Sequence, residues 1–429
     1  MVEFTDRATP TGSQPYLKRW LETRLPAAER RRVVVLTGAR QVGKTTLARH
    51  EYAELRYLSL DDVELRDELQ RVRTAAWART VGQAVLDEAQ KEPSIFDKVK
   101  YAFDAREIDF TVLLGSSRIL LLEKVRESLA GRAFLYDLWP LMLSELAGEL
   151  ESPPLFDRLL TAPRSFSETL AEEPEILLGG PDARRRAALE HLLAWGGMPG
   201  LLELDPEERQ EWFRSYQQTF LERDLADLVR LADLQPFRKL QRLAMLRSSQ
   251  VLSYSELARD AQLGASTARR YLEYLHLTYQ IVRLEPYHRN LTSQVIKSPK
   301  IFWSDIGLLR QGTGQWSRSS RLEDALFETL VVSEAQKWIS TLARDVRLFY
   351  YRTRSGLEVD LLIETPDGLI GLEIKNRDGA ISKDARGMAQ LADSLGDEWL
   401  GGLVVHRGSR LELMREDIGI WSMPVHRLF

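Results

Sequence analysis

The segment Gly38-Ala39-Arg40-Gln41-Val42-Gly43-Lys44-Thr45 fits the pattern G-x-x-x-x-G-K-[ST], and its setting constrains the fold more than any other feature of the chain. Just upstream, Val33-Val34-Val35-Leu36 is an unbroken apolar run of the kind that forms a strand buried on both faces. Just downstream, Thr46-Leu47-Ala48-Arg49-His50 is helix-compatible. A strand, a glycine-rich turn and a helix N-terminus in that order aim backbone N–H groups at one point, where the helix dipole adds positive charge. That cradle suits phosphate oxygens. Gly38, Ala39, Arg40, Gln41, Val42, Gly43, Lys44, Thr45 and Thr46 are therefore the candidate ATP-binding residues. Lys44 would reach the β- and γ-phosphates as a catalytic group, and Thr45 would offer its hydroxyl to Mg²⁺.

Such a loop also needs a carboxylate at a strand end for the metal and a second to orient the attacking water. Val85-Leu86-Asp87-Glu88 supplies both, Asp87 as metal ligand and Glu88 as catalytic base; the competing reading is a pair of acids capping the helix before Pro93. Leu113-Leu114-Gly115-Ser116-Ser117 ends another apolar run in hydroxyls. There Ser116 either senses the γ-phosphate or lies in a simple turn. Arg132 is a candidate arginine finger offered to a neighbouring subunit, against the plain alternative of a solvated surface charge. Short apolar runs at Leu55–Leu60, Ala84–Leu86, Val112–Leu114 and Phe134–Leu138 alternate with helix-compatible stretches, which predicts a parallel α/β sheet up to about residue 145.

These segments carry a resemblance. Gly38–Thr46, Tyr57-Leu58-Ser59-Leu60-Asp61-Asp62, Val85–Gln90, Leu114–Arg118, Ser128–Arg132 and Pro140–Glu145 together resemble bacterial and archaeal AAA+ ATPases that carry a C-terminal domain of unknown function. The likeness continues through Trp195-Gly196-Gly197-Met198-Pro199, Glu222-Arg223-Asp224, Pro299-Lys300-Ile301-Phe302 and Asp305-Ile306-Gly307-Leu308, and so spans nearly the whole chain. Leu114 departs from the family, where threonine often precedes Gly-Ser, which bears on the sensor assignment. The resemblance implies a homo-oligomer, a hexamer by analogy, and a winged helix in the middle of the chain.

Beyond the sheet, residues 151–181 hold five prolines among acids and 183–247 read as helical. Ser255–Ala261, a turn at Gln262-Leu263-Gly264 and Ser266–Leu277 have helix-turn-helix spacing, and Ile281-Val282-Arg283-Leu284 would be the wing strand. Arg269 and Arg270 on the second helix suit phosphate contacts, while Glu273 and the aromatic content suit packing or a protein partner equally well. From about residue 322 an α/β pattern resumes. An acid on a strand (Asp360), a hairpin through Pro366-Asp367-Gly368 and Glu373-Ile374-Lys375 resemble the restriction-endonuclease-like nucleases. Asp360 and Glu373, with Glu328 from the preceding helix, would hold a second Mg²⁺, and Lys375 would activate water; salt-bridged surface carboxylates are the alternative. Arg352 and Arg354 would hold a phosphate backbone in either case.

The expected organisation is thus α/β: a P-loop AAA+ core at 1–145, a helical extension at 146–247, a winged helix-turn-helix at 248–310 and a restriction-endonuclease-like domain at 320–429. With no cysteine, thiolate metal sites and disulfides are excluded, which suits the cytoplasm. Met1–Pro10 is charged at Glu3, Asp6 and Arg7 and does not read as a signal peptide, and no run approaches the roughly 20 apolar residues of a membrane span. His191, His276, His288, His406 and His426 have no metal-ligand spacing and read as structural or exposed. A net charge of −4 leaves nucleic-acid contact to local basic patches. The favoured expectation is a DNA-acting ATPase, a translocase, helicase or nuclease. The alternative is an ATP-dependent switch or defence component recruiting protein partners through the winged helix.

Overall fold

Five short segments rich in aliphatic residues form the first sheet: β1 (Arg32–Thr37), β2 (Arg56–Ser59), β3 (Ala84–Asp87), β4 (Phe110–Gly115) and β5 (Ala133–Asp137). Their order is β2-β3-β4-β1-β5, and every pair is parallel. Because β4 and β5 flank it, β1 has no edge, and Val33, Val34 and Val35 are 0% exposed. Leu69, Trp77, Phe96, Val99 and Phe103 belong to the apolar cluster that covers Val33 and Val35. In an all-parallel sheet the carboxyl ends share one edge, so the ends of β1, β3 and β4 lie side by side. A computed structural model describes residues 16–115, 118–219, 234–288, 298–314, 320–353 and 356–429. Ser116, Arg354, Met1–Pro10 and Glu222-Arg223-Asp224 lie outside them.

The chain divides into two compact units, residues 1–139 with 218–230, and residues 140–217 with 231–429. The second unit holds helices α2 (Gly180–Trp195), α3 (Gln235–Met245), α4 (Tyr254–Ala261), α5 (Ala265–Leu277), α6 (Ile306–Thr313) and α7 (Ser320–Leu342). Its strands are β6 (Ile281–Pro286), β7 (Lys300–Trp303), β8 (Arg347–Arg352), β9 (Glu358–Thr365), β10 (Gly368–Lys375), β11 (Trp399–His406), β12 (Glu412–Arg415) and β13 (Ile420–Pro424). They form one sheet in the order β12-β13-β11-β10-β9-β8-β6-β7. The β6–β7 hairpin is antiparallel, and β6 also runs parallel to β8 through Glu285↔Phe349 and Pro286↔Tyr350. The hairpin that follows α5 is therefore continuous with the C-terminal strands.

Two buried acids organise this unit. Asp305 is 1% exposed, caps α6 through Leu308 N at 3.0 Å and accepts from Gly197 N at 2.7 Å. The helices approach so closely that a Cβ on Gly307 would lie 2.0 Å from the Trp195 carbonyl oxygen, and one on Gly196 would lie 2.3 Å from the Asp305 carboxylate. That is why Trp195-Gly196-Gly197 and Asp305-Ile306-Gly307 need glycine. Asp157, 3% exposed, receives Trp338 Nε1 at 2.9 Å and the Arg344 guanidinium at 2.7 Å to each oxygen, a two-pronged pairing that fixes the end of α7.

His406, at the end of β11, is 1% exposed; its Nδ1 accepts from Gly408 N at 2.9 Å, so its Nε2 donates to Ser422 at 2.8 Å as a neutral ring. Burial pushes its pKa down to about 4. The unfolded ring titrates near 6.5, so between about pH 6.5 and 4 the unfolded chain takes up a proton that the folded chain refuses. Stability falls across that window, by on the order of 3 kcal/mol at its acid end, and is unaffected by this group above about pH 7. Denaturant unfolding at pH 7.5 and pH 4.5 should show the acid loss in the native protein and a smaller loss in His406→Gln.

Candidate functional site

The loop after β1 is shaped by backbone the sequence makes inexpensive. Gly38 has φ +151° and Gly43 φ +97°, while Gln41 takes φ +61° without a glycine's freedom. A Cβ on Gly38 would sit 2.1 Å from the Leu138 carbonyl oxygen, so this position admits only glycine. Lys44 opens α1 (Lys44–Glu51), is 7% exposed, and donates from Nζ to Gly38 O at 3.0 Å and Ala39 O at 2.8 Å. Its ammonium thus lies inside the loop's own curve. Arg40 and Gly43 are half-buried, Val42 is buried, and Thr46 is exposed.

Asp87, 6% exposed at the carboxyl end of β3, is the hub of this edge. Its Oδ2 accepts from Thr45 Oγ1 at 2.6 Å and from Tyr57 OH at 2.6 Å, and its Oδ1 accepts from Glu88 N at 2.9 Å. A hydroxyl and a carboxylate in contact, both oxygen donors, are the set a Mg²⁺ ion beside the phosphates would use. Burial, followed by the Asp87 charge, raises the Tyr57 pKa, so the phenol stays a donor. Arg49 lies over the Tyr57 ring, 4.9 Å from its centroid.

Glu88 follows in the left-handed region, φ +53° and ψ +43°, a conformation that costs a residue with a side chain about 1–3 kcal/mol and clusters at functional sites. Its carboxylate accepts from Gln90 Nε2, and Gln90 Oε1 is buried with no hydrogen-bond partner. Arg132 pairs with Asp104 through Nε at 2.6 Å and Nη2 at 2.8 Å, within the same chain. Arg19 was missed by sequence reading. It is 5% exposed and donates to Val42 O at 3.0 Å and Trp139 O at 2.6 Å, a buried guanidinium bracing the loop from outside. Nothing local marks it, because its partners lie 23 and 120 residues away. Also missed was a cluster on the same unit: Glu22, His50 and Glu51 have ligand atoms within 4.8 Å of one another, and Tyr16 stacks on His50.

In the second unit Glu328, Asp360, Glu373 and Lys375 meet on α7, β9 and β10. Asp360 Oδ2 accepts from Ile374 N at 2.9 Å, and Lys375 Nζ lies 2.6 Å from Glu373 and 3.9 Å from Asp360. Two groups not singled out from sequence join them. Lys300 on β7 reaches Glu358 at 2.7 Å and Glu328 at 3.2 Å, with its side chain 4% exposed. Burial opposes its charge, but Glu328, Asp360 and Glu358 outweigh burial and hold its pKa above the ordinary lysine value. Burial and then Asp360 raise Glu328 to about 7 and Glu373 to about 8, against the pull of Lys300 and Lys375 respectively. Glu373 Oε2 is buried without a partner, an orphan that suits a cation. Arg352 stands 3.9 Å from Glu358 with its side chain 53% exposed. On α5, Arg269 and Arg270 are exposed and lie over the Tyr254 and Tyr271 rings.

With this geometry in view, the likenesses to known proteins can be placed. Residues 30–147 match the family described as AAA domain. This stretch is similar to AAA domains. Residues 186–318 and 323–428 match two domains of unknown function, DUF8612 and DUF4143. Uncharacterized proteins of Mycobacterium tuberculosis and Mycobacterium bovis are each 28% identical over 360 residues, 81% of this chain and 71% of theirs. Among solved structures, the Walker-type ATPase of Pyrococcus abyssi is similar at 16% identity and a TM-score of 0.41, over 65% of this chain and 90% of that one. No helix among the described residues is long and apolar enough to cross a membrane.

Lys300 yields a direct expectation. Removing one member of a buried ion pair leaves the other charged and unsolvated, which costs about 3–5 kcal/mol. Lys300→Met should lower unfolding free energy by that order in urea titrations, and adding Glu358→Gln should recover part of it; an unchanged midpoint would remove Lys300 from the core of the pocket.

Proposed function

We propose that this chain is an AAA+ protein that binds Mg²⁺ and ATP between Gly38 and Thr46, hydrolyses the nucleotide, and uses the cycle to act on DNA. The observation that carries the first step is the Thr45–Asp87 contact beside a loop whose backbone curves around Lys44. In that arrangement Lys44 would exchange its two carbonyl partners for phosphate oxygens. Thr45 and Asp87 would hold the Mg²⁺, which supplies charge neutralisation at the transferred phosphoryl. Glu88 would take up the water, once its carboxylate leaves Gln90, and the γ-phosphate contact falls to Ser116.

DNA is the proposed substrate because of the architecture of the second unit. Helices α4 and α5 followed by an antiparallel hairpin support a winged helix over 248–310, with Arg269 and Arg270 exposed on the second of the two. The acid–lysine pocket of Asp360, Glu373 and Lys375 on paired strands supports a restriction-endonuclease-like domain over 320–429, preceded by the helical extension from 146. The core would be residues 1–145, and the protein would work in the cytoplasm as a homo-oligomer, a hexamer by analogy with AAA+ machines.

A second reading rests on Arg132 and Glu88. Both are held within the chain, by Asp104 and Gln90, as in a resting switch that turns over slowly until a partner frees them. Steady-state ATP hydrolysis with and without single- and double-stranded DNA separates the two. A rise of several-fold with DNA, absent in Lys44→Ala, supports the DNA-acting reading; slow turnover indifferent to DNA supports the switch.

A further inference from the structure

Helix α3 places Arg238, Lys239 and Arg242 at the three- and four-residue spacing that brings side chains to one face. These residues line a cavity of about 550 Å³ together with Gln235, Pro236, Ala261 and Gln262, and among the described residues no carboxylate lines it. Other arginines of this unit are ion-paired: Arg247 with Asp260, Arg283 with Glu273, Arg310 with Glu323. Among the described residues Arg238, Lys239 and Arg242 have no such partner. Arg238 Nε is moreover buried without a hydrogen-bond acceptor among the described residues, an arrangement that is unfavourable unless a ligand satisfies it. The carboxyl end of α4, at Ala261 and Gln262, offers at most about half a negative charge against three cations.

We propose that this cleft binds the sugar–phosphate backbone of a nucleic acid. The proposal rests on the reading that the second unit engages nucleic acid, and it assigns the backbone contact to α3, where sequence reading had placed it on α5 and β8. Arg238 and Arg242 stand about 6 Å apart along the helix axis. Among the described residues no aromatic ring lines the cleft to stack on a base, which disfavours a free nucleotide as occupant and makes the contact independent of sequence.

The test is fluorescence anisotropy of the full-length protein with a labelled 30-nucleotide single strand and its duplex, titrated at several KCl concentrations. Arg238→Glu/Lys239→Glu/Arg242→Glu should weaken binding at least tenfold and reduce the slope of log K against log salt by about 2–3, while ATP binding at the Lys44 site is unchanged. Should that triple variant fail to fold, Lys239→Gln/Arg242→Gln, both at exposed positions, should still reduce the slope by about 1–2. Unchanged affinity and slope in folded variants overturn the cleft alone and leave nucleic-acid binding to α5. Native protein that binds neither strand nor duplex overturns the underlying reading as well. Competition by inorganic phosphate, ATP or polyglutamate at equal charge concentration, as effective as by unlabelled DNA, overturns the nucleic-acid backbone as the occupant.

Discussion

The Asp87 carboxylate is the contact on which the candidate nucleotide site turns. It joins the first turn of α1 through Thr45, β2 through Tyr57, and its own successor through the Glu88 amide. Those three segments arrive from different parts of the chain only because the sheet is parallel and its carboxyl ends share an edge. With the acid 6% exposed, each bond is made away from competing water and each donor is fixed in direction. The left-handed backbone at Glu88 follows from the same constraint: the chain must turn sharply after Asp87, and Glu88 bears that strain.

In the second unit the comparable constraint is charge. Four acids and two lysines share a largely buried pocket, and Lys300 is the lysine that arrives from outside the C-terminal segment. It can do so because β6 joins β8, which makes the hairpin carrying β7 part of the same sheet. The acids Glu328 and Glu373, pushed upward by burial and by Asp360, would be unstable as bare carboxylates, and the lysines offset that cost. The α3 cleft is the opposite case, three cations left without acids of their own. The first pocket carries counter-charges of its own for part of its acids, whereas the α3 cleft, on the proposal above, takes its anion from outside.

Much of the first unit was legible in the sequence, since strand β1, the glycine loop and helix α1 are local signals that agree with one another, and β2 to β5 follow the expected apolar runs. The burial of Leu257, Ala258, Ala268, Tyr271, Leu272 and Leu275, and the exposure of Arg269 and Arg270, likewise follow helical periodicity. Arg19, Lys300 and Glu358 were not legible as site residues. Arg19 and Lys300 each act on groups far along the chain, and an arginine near a tryptophan or a lysine after a proline carries no local mark of burial. Nor does the spacing of Arg238, Lys239 and Arg242 by itself distinguish a solvated face from a cleft; that depends on α4 closing one side with Ala261 and Gln262. The merging of the 248–310 hairpin with the C-terminal strands was hidden for a similar reason, because a two-residue parallel pairing has no sequence signature.

On the proposed function, Lys44, Thr45 and Asp87 form one nucleotide site. Titration calorimetry of the intact protein with ATP, with and without Mg²⁺, tests it most directly. One ATP per chain is the predicted result, with binding tightened by Mg²⁺, lost in Lys44→Ala, and made indifferent to Mg²⁺ by Asp87→Asn. Binding that survives unchanged in Lys44→Ala, or no binding in the folded native protein, would contradict it.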